Sequence, residues 1–194
     1  SSITSPGTPT AGATNQSPQP TPVGTLTGYG FAGGAGYEAG SGTGNYHSGG
    51  GGGAGQAGVA GASNDSGEGG YGRQLPATFR DPKSAPTSAS GGGLGTPSSD
   101  YAGGQSGTYW IAGGGGGSAD TPSPSNAPGG AGGGGTGARG RSVPGSNVPV
   151  TGNGVQNTGS GGGGAGYNNP SGGSPVSTSG SGGSGIVLIA YPNS

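Results

Sequence analysis

Apolar side chains are sparse along this chain and are seldom adjacent. The one continuous apolar run is GIVLIAYP at 185–192, and YWIA at 109–112 is a shorter one. Ile186, Val187, Leu188, Ile189 and Tyr191 have the branched and aromatic character of a short buried strand, and 109–112, around Trp110, reads as a second, weaker one. No amphipathic period of 3.6 residues appears, and few windows lack Gly or Pro. Because an interior glycine costs a helix about 1 kcal/mol, almost no helix is expected.

Between the apolar positions lie blocks of glycine: SGGGGGAG at 48–55, AGGGGGS at 112–118, GGAGGGGTG at 129–137, SGGGGAG at 160–166 and SGSGGSG at 179–185. With 58 glycines and 17 prolines among 194 residues, composition by itself gives a flexible coil. Hydrophobic residues are only 24%, with two Phe and one Trp, so a side-chain core of ordinary size cannot be assembled. An ordered state therefore needs backbone hydrogen bonds to offset the large entropy that glycine loses on folding. Collagen needs Gly at every third position, and stretches such as ATNQSPQ and RQLPATF break that frame.

Extended helices of the polyproline II type fit better. They have three residues per turn, rise about 3.1 Å per residue and make no internal hydrogen bonds, so each N–H and C=O must find a neighbouring helix. Without Cβ atoms such helices approach closely enough to bond through N–H and Cα–H groups. A block of about nine residues spans roughly 28 Å. The expected fold is thus a bundle or sandwich of polyglycine II helices with long loops and a short C-terminal β-strand, with extended geometry through 113–117 and 129–135.

Residues 1–30, rich in Pro, Thr and Ser, read as an arm or linker, and 31–194 as the glycine-rich domain with loop excursions at 62–90, 118–128, 138–160 and 167–178. The first excursion holds six of the charged residues: Asp65, Glu68, Arg73, Arg80, Asp81 and Lys83. A start at SSITSPG, with no Met, signal peptide or transmembrane run, suggests a piece or processed part of a longer protein.

Charge and chemistry narrow the function. A net charge of −1 without basic clusters argues against nucleic acid and anionic membranes as partners, and no apolar span suggests membrane insertion. With no cysteine and one histidine, thiolate metal sites and Cys–His chemistry are ruled out, and a serine triad would rest on His47 alone. Asp65 with Glu68, or Asp100 with Asp120, would serve a two-carboxylate glycosidase on paper, but small-residue loops lack the rigid cleft. The GxGxxG at 28–33 is read as chance, since no strand is expected before it and no helix after it. No catalytic residue, metal or cofactor is expected.

Aromatic residues lie mainly beside the glycine blocks rather than within them. They either cap the ends of the bundle against water or present contact area with a polar handle. Trp110 and the 186–191 run are assigned to structure. Tyr71, Arg73, Arg80, Tyr101, Arg139, Arg141, Tyr167, Asn168 and Asn169 are the loop candidates for recognition. Tyr167, with two Asn amides before Pro170, suits polar receptor groups, and Arg139 and Arg141 suit acidic glycans.

The segments GGGGGAG, GGYGRQLPATFRDP, GTYWIAGGGGGS, GGAGGGGTGA, NTGSGGGGAG and GGSGIVLIAYP resemble the glycine-rich domain of many bacteriophage and environmental viral tail-fibre proteins. The resemblance covers about 49–192 and is strongest at YWIAGGGGGS and the C-terminal run; Ala190 departs from it where that family often has a basic residue. The architecture is similar to that of tip adhesins of T-even-like long tail fibres, in which stacked polyglycine helices carry loops that bind the bacterial surface. The resemblance implies a virion or extracellular receptor-binding domain whose partners are a bacterial surface glycan or outer-membrane protein, the rest of a fibre, or copies of itself. A structural filament subunit and an ice-binding protein are the alternatives; the latter calls for regular Thr-rich repeats, which the chain lacks.

Overall fold

A computed structural model describes residues 19–21, 24–26, 28–38, 46–88, 93–97, 106–119, 126–138, 151–166 and 178–191. As the glycine and proline content requires, these residues contain almost no helix: two single-turn 3-10 helices, Ala77–Phe79 and Pro82–Ser84. Six short strands make three two-stranded antiparallel sheets: β1 (Gln19–Thr21) with β2 (Gly24–Leu26), β3 (Tyr37–Glu38) with β4 (Tyr46–His47), and β5 (Arg73–Gln74) with β6 (Trp110–Ile111). The β1–β2 pair lies within the segment expected as an arm.

Most of the backbone bonding lies outside these sheets and repeats every third residue. Ser48, Gly51 and Ala54 donate N–H bonds to Ser118, Gly115 and Ala112, while Gly50 and Gly53 donate to Val59 and Gln56. Gly67 and Gly70 donate to Ser48 and Gly51, and Gly114 and Gly117 to Gly70 and Gly67. The same step of three joins 112–118 to 134–138 and 160–166, joins 134–138 to 151–155, and joins 160–166 to 178–184. The 112–118 run is the hub, bonded to 48–54, 66–72, 126–130, 134–138 and 160–166. Its five glycines, 113–117, are all buried.

The contacts explain why glycine is needed there. A Cβ on Gly113 or Gly116 would meet the carbonyl oxygen of Gly130 or Ala127, at 2.4 and 2.1 Å. On Gly114 or Gly117 it would meet Gly51 or Ser48, at 2.0 and 2.3 Å, and on Gly115 it would meet Gly162 at 2.0 Å. Successive residues therefore face three different neighbours, and residues three apart face the same one. The hydrogen occupying each Cβ position is aimed at a carbonyl oxygen, a Cα–H···O contact worth about 0.5–1 kcal/mol. None of these five glycines has a positive φ, so close approach rather than unusual backbone geometry selects them.

Among the described residues, the buried apolar side chains larger than alanine all lie in the excursion between 72 and 112. Leu75, Thr96, Tyr109 and Trp110 are buried there. Leu75 N–H bonds to Tyr109 C=O, Thr96 pairs with Trp110, and the Tyr109 hydroxyl donates to Asp81 C=O at 2.7 Å. Asp81 caps the second 3-10 turn by accepting from Lys83 N–H. Tyr109 and Ala112, at φ 66° and 58°, bracket β6 and redirect the chain into the glycine run.

Two expectations need correction, those for the 129–135 block and the 186–191 segment. The 129–135 block is not one extended run: a turn at 131–133, with Gly132 and Gly133 at φ 103° and 95°, folds 134–138 back against 126–130. The excursions expected at 62–90 and 138–160 contain bonded runs of their own, 66–72 and 151–155. The 186–191 segment forms no strand and is not buried: Val187 is 84% exposed, Ile189 68%, Tyr191 81% and Ile186 37%, while Leu188 is half-buried. It follows 178–184, beyond Gly185, around which a Cβ would meet nothing within 4 Å. His47 is buried in β4 with its ring tilted against Tyr37.

A candidate binding cleft at one end of the glycine runs

The bonding registers sort the connections into two groups. At one end lie the turns at 54–56, 131–133 and 156–159, the start of 28–36, and the β5–β6 excursion. At the other lie β3 and β4, the turn at 62–65, and the described residues Ala119, Asn126, Ala138, Thr151, Gly166 and Thr178. Of the recognition candidates, Tyr71, Arg73 and Arg80 lie at the first end.

At the first end, where 66–72 passes into β5, a cleft of about 310 Å³ is lined by Gly55, Tyr71, Gly72, Arg73, Gln74 and Trp110. Strand pairing sets Gln74 opposite Trp110 and Arg73 opposite Ile111. Tyr71 and Trp110 meet edge to face at 6.3 Å between ring centroids. The Trp110 indole N–H donates to Ser106 C=O, which fixes the ring. The Gln74 amide nitrogen donates to Thr108 C=O at 2.9 Å, leaving its oxygen as an acceptor. The Arg73 guanidinium lies over the Tyr29 ring, 4.1 Å from the centroid, in a cation–π contact brought about by the position of 28–36 beside 48–54.

Of the residues singled out from sequence, Tyr71 and Arg73 come together in this cleft. Arg80 does not; its Nε donates to Leu75 C=O, bracing the 3-10 segment from a half-buried position. Trp110, assigned to structure, is both buried and part of the lining. Tyr101, Arg139, Arg141, Tyr167, Asn168 and Asn169 lie outside the described residues. Tyr29 and Gln74 were missed. The Tyr29–Arg73 approach spans 44 positions and has no local sequence signal.

The cleft offers aromatic surface, one guanidinium, one amide oxygen and glycine backbone, a set suited to binding and orienting a polar ligand. Among the described residues no group of three His, Cys, Asp or Glu is placed to hold a metal ion, and no helix is long and apolar enough to cross a membrane. No family model, curated protein or solved structure matches the chain.

Proposed function

We propose that this chain is the receptor-binding or tip domain of a viral fibre, a rigid polyglycine II scaffold that presents recognition segments at its two ends. The runs are read as three-residue-per-turn helices in two stacked layers. One layer holds 28–36, 48–54, 112–118, 160–166 and 178–184; the other holds 56–61, 66–72, 126–130, 134–138 and 151–155. The observation that carries the reading is the step of three, shared by the N–H bonds and by the glycine faces. It makes the interior backbone-only and leaves charge and aromatic rings to the ends and to the outer faces of the runs. A stiff scaffold lowers the entropy its recognition segments lose on binding, and several fibres per particle multiply weak contacts.

The test is adsorption of the fluorescently labelled chain to a panel of bacterial strains. Saturable adsorption to a subset is expected, and replacement of 139–150 or 167–177 by Gly-Ser linkers of equal length should abolish it. Adsorption to no strain, or adsorption indifferent to both replacements, would refute the assignment. A second reading, a filament subunit, is favoured by the exposed apolar side chains of Val187, Ile189 and Tyr191. It predicts concentration-dependent assembly in sedimentation velocity, lost in a Val187→Ser, Ile189→Ser double variant.

A further inference from the structure

We infer that the cleft formed by Tyr71, Arg73, Gln74 and Trp110 binds a single acidic sugar residue, a hexuronic acid unit of a surface polysaccharide. The assignment rests on the receptor-binding reading for its biological setting, but its geometry stands on the cleft alone.

Four features converge on this ligand. First, Arg73 is a pre-positioned anion receptor: its guanidinium is held by its face on Tyr29, and its N–H fork meets no acceptor among the described residues. A guanidinium so placed pairs with a planar carboxylate through two parallel hydrogen bonds. Second, no carboxylate is among the described residues that line the cleft, so none of them competes for that fork. Third, Tyr71 and Trp110 supply an apolar wall for the C–H face of a sugar ring, while the Gln74 oxygen accepts from a hydroxyl. Fourth, about 310 Å³ sits at the low end of the range for small-molecule clefts, enough for one ring rather than a chain. Inorganic phosphate would use Arg73 but leave the aromatic wall bare, and a neutral hexose would use the wall but leave the guanidinium unpaired. Only an acidic sugar uses all of them.

Trp110 is the single tryptophan of the chain and lines the cleft, so its fluorescence reports on occupancy. The full chain is titrated with glucuronate, galacturonate and their short oligomers, with methyl galactoside and inorganic phosphate as controls, and calorimetry is run in parallel. Saturable binding of a uronate is expected, at least tenfold tighter than methyl galactoside or phosphate, and weakening as salt is raised. Arg73→Gln should weaken it at least tenfold, and Arg73→Lys should not restore it. Thermal unfolding checks that both variants are folded; if Arg73→Gln is not, Gln74→Leu takes its place, with the same loss expected.

No saturable uronate binding by either method, equal binding of phosphate or methyl galactoside, or full affinity in Arg73→Gln would overturn the assignment. The two proposals fail separately. Adsorption to bacteria without any uronate response sinks the cleft alone, whereas uronate binding without adsorption to any strain supports the cleft and sinks the fibre-tip reading.

Discussion

Adding one methyl group to glycine should have opposite effects at two places in this chain. At Gly114 a Cβ would lie 2.0 Å from Gly51 C=O, where real contacts are essentially never shorter than 3.0 Å. The 112–118 and 48–54 runs must then part by about 1 Å, and the three bonds between them, now 2.7–2.9 Å, stretch beyond hydrogen-bond range. At about 0.5–1.5 kcal/mol each, their loss costs about 1.5–4.5 kcal/mol, against a total stability of about 5–15 kcal/mol for an ordinary protein. For a chain of this size that lowers the thermal midpoint by about 3–18 °C. At Gly185 a Cβ meets nothing within 4 Å and φ is not positive. There Gly→Ala restricts only the unfolded chain and should stabilise by about 0.4–1 kcal/mol. Denaturant unfolding of the two variants beside the parent decides the matter. Equal shifts, or a tolerated Gly114→Ala, would refute backbone-on-backbone packing as the source of order.

Other substitutions probe separate parts. Glu68→Ala should change stability by no more than about 0.5 kcal/mol, because Gly67 and Gly70 face one neighbour and Gly69 and Gly72 another, leaving Glu68 on the third face; its neighbour Gly69→Ala, aimed at Gly114 C=O from 2.1 Å, should cost several times more in the same unfolding assay. Gly133→Ala places a side chain at φ 95° against Thr158 and Val155 and should destabilise by about 1–3 kcal/mol in chemical denaturation. Tyr109→Phe removes the bond to Asp81 C=O and should cost about 0.5–1.5 kcal/mol, with amide exchange accelerating first around the second 3-10 turn.

How legible the fold was in sequence depended on how crowded each run is. The hub stood out because it is crowded on all three faces: 113–117 is unbroken glycine. The 66–72 run was hidden by Glu68 and Tyr71, which occupy its one free face and make SGEGGYG look like an ordinary loop. In 56–61 only Gly58 and Gly61 are constrained, by Gly50 and by His47, and Gln56 and Val59 read as surface. The turn at 131–133 was unreadable because glycine before, within and after it leaves no contrast. The C-terminal run misled for a different reason: branched apolar residues signal a strand's preference for burial, but carry no information about whether the chain supplies a covering surface. For the cleft, Tyr71 and Arg73 were visible as residue types beside a block, while Tyr29 and Gln74 joined them through packing between distant runs.

Period three also bears on how recognition can change while the scaffold does not. Each hub residue commits its N–H, C=O or Cα–H to neighbouring backbone, so a substitution that introduces a side chain there disturbs several runs at once. The bonds that fix these runs lie inside them: 134–138 is held by 112–118 and 160–166, and 151–155 by 134–138. Loop closure entropy grows only slowly with length, so the segments joining these runs can lengthen, shorten or change composition at little cost to the scaffold. The cleft is the exception. Arg73, Gln74 and Trp110 sit on β5 and β6, which adjoin the bonded runs 66–72 and 112–118, so its geometry is inherited from the scaffold. Separate effects follow: exchanging segments at the far end should alter strain preference without moving the thermal midpoint, whereas changes around β6 that alter uronate binding should also alter stability.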